Sequence, residues 1–228
     1  RPPRSTPLYS SAASDVYKRQ VDNASGTAGL LELANFFSKV ESERSLLFLA
    51  VTAEESGLLG SEYFAEYPPV KLKNIVAGYN FDGVLPVGRT KDVIVVGYGA
   101  SELEDILKAE LDKVGKYIVP DPQPEKGFFY RSDHISFAKR VVPVLYADGG
   151  FDKVEGGIEV GKSFAEEYTA LHYHQPSDEY DPNWDLSGFV DQLTITSNMV
   201  KFLADSDTWP EWYEGNEFKR IREESRNN

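Results

Sequence analysis

The sequence predicts an α/β fold in which helices cover both faces of a mixed, mostly parallel β-sheet. Short apolar segments alternate along the chain with longer segments whose apolar residues recur at about the 3.6-residue period of a helix. The chain has 228 residues, enough for one sizeable domain. Hydrophobic residues make up 41% of it, so a packed core is expected rather than global disorder. We therefore expect a three-layer α/β/α sandwich.

The predicted elements follow one another in the order that this class requires. Helices are expected at 27–40, 57–66, 101–114 and 185–204, and strands at 45–51, 74–81, 92–97, 116–119 and 141–146. The strand at 45–51 is the central one, since its unbroken apolar run is typical of a strand buried on both faces. Residues 148–173 are expected to form a long glycine-rich connection. The tail from Trp209 predicts a charged surface helix, with Trp209 and Trp212 as anchors.

The first twenty residues differ in character from the rest of the chain. They have no apolar period and no hydrophobic region of the kind that a signal peptide contains. They resemble translated vector or adapter sequence. We therefore expect residues 1–20 to be a non-native leader, and residues 21–228 to be the C-terminal part of a domain whose first strands precede them.

Composition excludes several classes of protein. The formal net charge of −13 and the pI of about 4.7 argue against nucleic-acid binding, which needs a basic face. No apolar run approaches the roughly 18 residues of a membrane span. The chain has no cysteine, so a metal site would have to use carboxylates and histidines. The three histidines are His134, His172 and His174.

Acidic residues follow the predicted strands at the edge where ligands bind in open α/β sheets. Glu54 and Glu55 follow the strand at 45–51, and Asp82 ends the next strand. Asp22 stands just before a predicted helix. Carboxylates combined with imidazole suit Zn²⁺, and one glutamate beyond the ligands can act as the general base of a metal-assisted hydrolase.

Five motifs, in this order, resemble those of the co-catalytic zinc aminopeptidases. This is the superfamily of bacterial leucyl aminopeptidase, glutamate carboxypeptidase II and glutaminyl cyclase. The resemblance runs from about residue 21 to the C-terminus. The motifs are D-N-A-S-G at 22–26, A-E-E-S-G-L-L-G-S at 53–61, N-F-D at 80–82, S-D-H at 132–134 and Y-H-Q-P-S-D at 173–178.

The resemblance implies two zinc ions and a role for each acidic residue. Asp22 would bridge the two ions, Glu55 and His174 would complete one site, and Asp82 would bind the other. Glu54 would be the general base and acid. The family also uses a histidine in an H-x-D motif upstream of the first of these motifs, and this chain has no histidine before His134. One site would therefore be complete and the other short of a ligand, so we expect the full-length protein to be active and this fragment to be impaired.

The resemblance also implies roles around the metal. Tyr173 would polarise the substrate carbonyl, as an alternative to simple packing. Asp133 and His134 would fix a loop or face the substrate, with a hydrogen-bonded structural histidine as the alternative for His134. Asp178 would brace the ligand loop in the layer behind it, and His172 would be an incidental loop residue.

Peptides are the substrates that the resemblance implies, with aminopeptidase activity favoured over carboxypeptidase or dipeptidase activity. Two alternatives stay open on the same fold. One is a glutaminyl-cyclase-like acyltransferase with a single zinc ion held by Asp, Glu and His. The other is a non-catalytic receptor or scaffold domain, which the joint presence of Glu54, Glu55, Asp82 and His174 disfavours. An extracytoplasmic location is expected from the resemblance, and the sequence gives no oligomeric state.

Overall fold

A computed structural model describes residues 19–227. The predicted leader therefore lies, apart from its last two residues, outside the described residues. The helices are α1 (Gly26–Phe37), α2 (Leu59–Glu66), α3 (Leu103–Lys113), α4 (His134–Ala138), α5 (Gly157–Leu171), α6 (Ser187–Ala204) and α7 (Lys219–Asn227). The strands are β1 (Gly78–Asn80), β2 (Asp92–Val96), β3 (Tyr117–Pro120) and β4 (Val144–Gly149). Single turns of 3₁₀ helix occur at Leu72–Asn74, Pro124–Lys126 and Phe128–Tyr130, and a π-type turn at Gln20–Ser25.

The four strands form one mixed sheet in the order β1-β4-β2-β3. β1 is parallel to β4 and β2 is parallel to β3, whereas β2 and β4 are antiparallel. Asn80 at the end of β1 pairs with Tyr146 on β4. The α/β class and the mixed, mostly parallel sheet are thus confirmed.

Strand β4 separates two helical layers because its side chains alternate between the faces of the sheet. Leu145 and Ala147 join the core formed with α3 and α6. Tyr146, between them, points to the opposite face, where its ring lies 5.3 Å from that of His134 on α4. Helices therefore cover both faces of the sheet, as the three-layer prediction requires.

The predicted central strand at 45–51 is wrong for the part of the chain that the structure describes. None of its backbone N–H groups bonds to a described backbone carbonyl, and Leu47 is 56% exposed. An apolar run becomes a strand only where a neighbouring strand accepts its hydrogen bonds. Residues 19–227 offer it no such neighbour.

The predicted long connection at 148–173 is also wrong, because most of it forms the fifteen-residue helix α5. Gly156 and Gly157 precede and open this helix with φ values of 100° and 70°, a conformation that favours glycine. Gly161 is the only buried residue of α5. The helix therefore presents only a narrow apolar stripe to the core, and the glycines around that stripe favour a loop in the sequence pattern.

The C-terminal helix α7 packs against the turn that precedes β1. Trp212 is 1% exposed, as expected of an anchor, and Arg222 is fully buried. The Arg222 guanidinium donates through Nη2 to the carbonyls of Ile75 and Val76, at 3.1 and 3.3 Å, and lies 5.5 Å from the ring of Trp209. Within the described range, every helix is too short or too polar to cross a bilayer.

We expect Arg222→Leu to lower the free energy of unfolding by about 3 kcal/mol, because two charge-assisted hydrogen bonds are lost and two half-buried residues lose the donor to their carbonyls. Urea denaturation measures this change. Arg220 on the same helix has a side chain that is 79% exposed and pairs only with Glu224 among the ion pairs of the described residues. Arg220→Leu should therefore change stability by less than about 0.5 kcal/mol; equal losses in both variants would contradict the prediction.

Candidate metal centre

Asp22, Glu55 and His174 converge from three distant parts of the chain. Each offers a ligand atom, and these atoms all lie within 4.8 Å of one another. His174 Nε2 lies 3.1 Å from Asp22 Oδ2 and 3.0 Å from Glu55 Oε1. The structure thus brings together the three residues predicted to form the complete metal site. No other group of this kind is found among residues 19–227.

The turn that carries Asp22 is held by Asp178. The buried Asp178 carboxylate accepts the N–H groups of Val21 and Asp22, at 3.0 and 3.2 Å. It also accepts the Tyr168 hydroxyl at 3.3 Å. Asp178 was predicted to brace the ligand loop. It lies four residues after His174, and in the structure it fixes the backbone of Asp22.

Asn23 connects the turn of Asp22 to the turn of Asp82. Its Nδ2 donates to the carbonyl of Phe81 at 2.9 Å, and its Oδ1 accepts the N–H of Gly83 at 3.2 Å. One amide therefore forms hydrogen bonds to the residues on both sides of Asp82. Sequence analysis missed Asn23, although a short amide inside the first motif was the available signal.

Asp82 itself lies outside the three-residue cluster and is held by Ser132. The Ser132 hydroxyl donates to Asp82 Oδ2 at 2.6 Å and accepts Asn80 Nδ2 at 2.8 Å. Because Asn80 supplies a donor, the hydroxyl proton of Ser132 is directed at the carboxylate. This role of Ser132 was also missed, since the sequence does not show which group the hydroxyl of a loop serine will bond to.

Burial and mutual repulsion raise the pKa values of three carboxyl groups in this region. Burial, then the charges of Asp82 and Glu55, raise the pKa of Asp22 to about 7. The same causes raise the pKa of Glu54 to about 8. Burial raises the pKa of Asp82 to about 6, against the lowering effect of Ser132. Several carboxylates confined in one space favour the binding of a cation.

Two ligand atoms of the cluster fit a bound metal. Asp22 Oδ2 and His174 Nε2 are buried and face each other, yet neither has a hydrogen-bond partner of acceptable geometry among the described residues. Buried polar atoms without partners are rare. Two carboxylates and one imidazole are a ligand set that zinc accepts. The residues present therefore fit a zinc ion.

Arg19 lies at the same site. Its side chain is 8% exposed, and Nη1 bonds to Glu55 Oε1. This guanidinium supplies positive charge beside the carboxylates. Arg19 therefore lies next to the Glu55 oxygen that would bind a zinc ion.

Tyr173 lies against the ligand histidine. Its ring stacks on that of His174 with 3.8 Å between centroids, and the side chain is 38% exposed. Burial and the charges of Asp22 and Glu55 raise the pKa of Tyr173 to about 12, so its phenol stays protonated at neutral pH. The structure thus places a hydroxyl donor at the edge of the site.

The other residues predicted around the metal, His134, Asp133 and His172, lie outside the cluster of ligand atoms. His134 is 1% exposed and packs on Phe129 as well as on Tyr146; burial lowers its pKa to about 4, so it is neutral. Burial raises the pKa of Asp133, against a hydrogen bond from Ser61. His172 Nδ1 lies 3.1 Å from the carbonyl of Ser177, within its own loop.

The raised pKa values predict a stability that falls with pH in the metal-free chain. A carboxyl with a higher pKa in the folded state stabilises the fold below its unfolded pKa of about 4 and loses this contribution as the pH rises through its folded pKa. We expect the free energy of unfolding to fall by a few kcal/mol between about pH 5 and pH 8. Urea denaturation in the presence of a chelator tests this. Glu54→Gln should flatten the slope, and Glu41→Gln, on the surface, should leave it unchanged.

Comparison with known proteins places this chain in a family. The model of peptidase family M28 matches residues 20–196. Leucine aminopeptidase 2 of Trichophyton rubrum is 29% identical over 177 residues, which cover 73% of this chain and 33% of that protein. Aminopeptidase YwaD of Bacillus subtilis is 41% identical over 64 residues, or 28% of this chain and 14% of that protein. The chain thus spans a third or less of the length of these relatives.

Solved structures share the fold. A zinc aminopeptidase from Bacillus subtilis superimposes with a TM-score of 0.63 at 21% identity, over 83% of this chain and 43% of that one. An aminopeptidase from Aneurinibacillus sp. strain AM-1 gives 0.61 at 23% identity, over 84% and 41%. These superpositions confirm the fold, and the match to the family model confirms the resemblance seen in the motifs.

Proposed function

The chain belongs to peptidase family M28, and we propose that it carries the metal-binding and catalytic residues of a zinc-dependent aminopeptidase. The observation that carries this proposal is the convergence of Asp22, Glu55 and His174 beside a further glutamate, Glu54. The names of the relatives above, which are aminopeptidases, support it. The substrates would be peptides with a free N-terminus.

Asp22, Glu55 and His174 would hold one zinc ion, and Asp82 together with Asp22 would contribute to a second position. A zinc ion held there supplies a Lewis acid that polarises a carbonyl and makes a nearby water more acidic. Asp178, Asn23 and Ser132 hold the ligands in place before any metal binds, and such supporting hydrogen bonds tune metal affinity.

Glu54 would move the proton. Its raised pKa is that of the metal-free chain, and the positive charge of a bound cation would lower it. The carboxylate would then take a proton from the attacking water and deliver it to the nitrogen of the leaving amine. Glu54 follows Ala53 in a tight turn that is closed by the N–H groups of Gly57 and Leu58 on the Glu54 carbonyl, at 3.0 and 2.8 Å. The charges of Asp82 and Glu55 act on the Glu54 carboxyl, which supports a role for Glu54 beside the proposed metal ligands.

Tyr173 would stabilise the developing charge. Its protonated hydroxyl would donate a hydrogen bond to the substrate carbonyl oxygen, a contribution that grows as negative charge develops on that oxygen. Its stacking on His174 fixes the ring relative to the metal site.

Zinc content and the hydrolysis of leucine p-nitroanilide, measured on the same preparation, test the proposal. We expect bound zinc and weak hydrolysis, since the second metal position is short of a ligand in this chain, and both should be lost on treatment with a chelator and restored by zinc. Zinc binding without hydrolysis of this substrate or of short peptides would contradict the proposal.

A second candidate is the glutaminyl-cyclase-like acyltransferase with one zinc ion. The observation in its favour is that Asp82 lies outside the cluster formed by Asp22, Glu55 and His174. Cyclisation of an N-terminal glutaminyl peptide, with one zinc per chain and no release of leucine, would support this candidate instead.

A further inference from the structure

We propose that Tyr146 is a positioning residue that holds Asp82 for metal binding; this inference rests on the function proposed above. The Tyr146 hydroxyl donates to the backbone carbonyl oxygen of Asp82 at 3.3 Å. The tyrosine lies on β4, and no motif in the sequence singles it out.

The register of the sheet explains why Tyr146 reaches Asp82. Asn80 is paired with Tyr146 in the parallel ladder, so the two side chains project from the same face. β1 ends at Asn80, and the carbonyl of Asp82, two residues further on, lies beyond the strand. The Tyr146 hydroxyl supplies the donor that the sheet no longer provides.

The ring of Tyr146 is itself fixed. It packs against His134, which is 1% exposed, with 5.3 Å between the ring centroids. A half-buried ring that packs on a buried side chain is suited to hold a backbone group in one place through its hydroxyl.

Three side chains hold different parts of the segment around Asp82. Ser132 holds the carboxylate through Oδ2, and Asn23 holds the neighbours Phe81 and Gly83. Tyr146 holds the carbonyl of Asp82 itself. Without this bond the peptide group after Asp82 becomes more mobile. The carboxylate is then no longer held in the orientation that a metal ligand requires.

Tyr146→Phe tests the inference, because it removes the hydroxyl and keeps the ring. Zinc is titrated against a competing chelator, and two equivalents are resolved. We expect the affinity for the second equivalent to fall about 10-fold, the lower end of the range for lost supporting bonds. The first equivalent, held by Asp22, Glu55 and His174, should change less than about 2-fold.

Tyr79→Phe is the matched control. Tyr79 lies on β1, and its hydroxyl donates to the carbonyl of Ala147 at 2.7 Å, towards α6 rather than the site. It should leave both zinc affinities unchanged. In an Asp82→Ala background, Tyr146→Phe should have no further effect on zinc binding.

Three results would overturn the inference. They are unchanged second-site affinity in Tyr146→Phe, equal losses in Tyr146→Phe and Tyr79→Phe, and a chain that binds no second zinc at all. Hydrolysis of leucine p-nitroanilide is scored separately. A chain with Tyr146-dependent binding of a second zinc but no hydrolysis would keep this inference and refute the proposed function.

Discussion

Glu54→Gln is expected to lower kcat for leucine p-nitroanilide about 10³-fold, within the range for loss of a general base. The amide has nearly the shape of the carboxyl group but cannot accept the proton of the attacking water. Glu54 is predicted to bind no metal, so zinc content should stay the same. Steady-state kinetics together with metal analysis on the same samples measure both quantities.

The control for this experiment is a charge change away from the site. Glu41 is exposed, and Glu41→Gln removes the same negative charge from the surface of the chain. It should leave kcat within about 2-fold, since its charge is screened by solvent. A Glu54→Gln variant that keeps full activity would remove Glu54 from the mechanism. One that loses zinc would identify Glu54 as a ligand instead.

His174→Ala is expected to weaken zinc binding about 10³-fold. Three ligands share a binding free energy on the order of 10 kcal/mol or more for a well-formed zinc site, so one ligand accounts for about 4 kcal/mol. His174 Nε2 is the only imidazole nitrogen in the cluster of described ligand atoms. Competition with a chelator at fixed pH gives the dissociation constant.

His172 provides a close control, two residues away in the same loop. Its ring bonds to the carbonyl and hydroxyl of Ser177 rather than to any group in the cluster. His172→Ala should change zinc affinity less than about 3-fold, because it removes no ligand. If both variants lost zinc equally, the loop as a whole, and not the His174 ligand, would be responsible.

Much of the site was predictable because its ligands follow apolar segments at short distances along the chain. The acids at 54, 55 and 82 each come at or near the end of a predicted strand, and the order of the five motifs identified the family. The match of the family to residues 20–196 confirms that reading. Local patterns were sufficient here because metal ligands must be carboxylates or imidazoles, and the chain has few histidines and no cysteine.

Apolar periodicity gave a wrong prediction for two segments that are little buried among the described residues. The apolar run at 45–51 predicts a buried strand, yet among the described residues it has no neighbouring strand. Helix α5 escaped prediction because Gly161 is its only buried residue and glycines precede it in the sequence. Apolar periodicity reports how an element is buried, so it misleads where burial is absent or comes from other parts of a protein.

The sequence by itself determined the fold class, the family and the residue types at the metal site. Only the tertiary structure decided which residues support the ligands. Asn23 and Gly83 are 60 positions apart, and Tyr146 and Asp82 are 64 apart, and each pair meets through a hydrogen bond that no local pattern encodes. A serine, an asparagine or a tyrosine gains such a role from the register of the strands and the packing of loops, because a hydrogen bond depends on the partner that folding brings within reach.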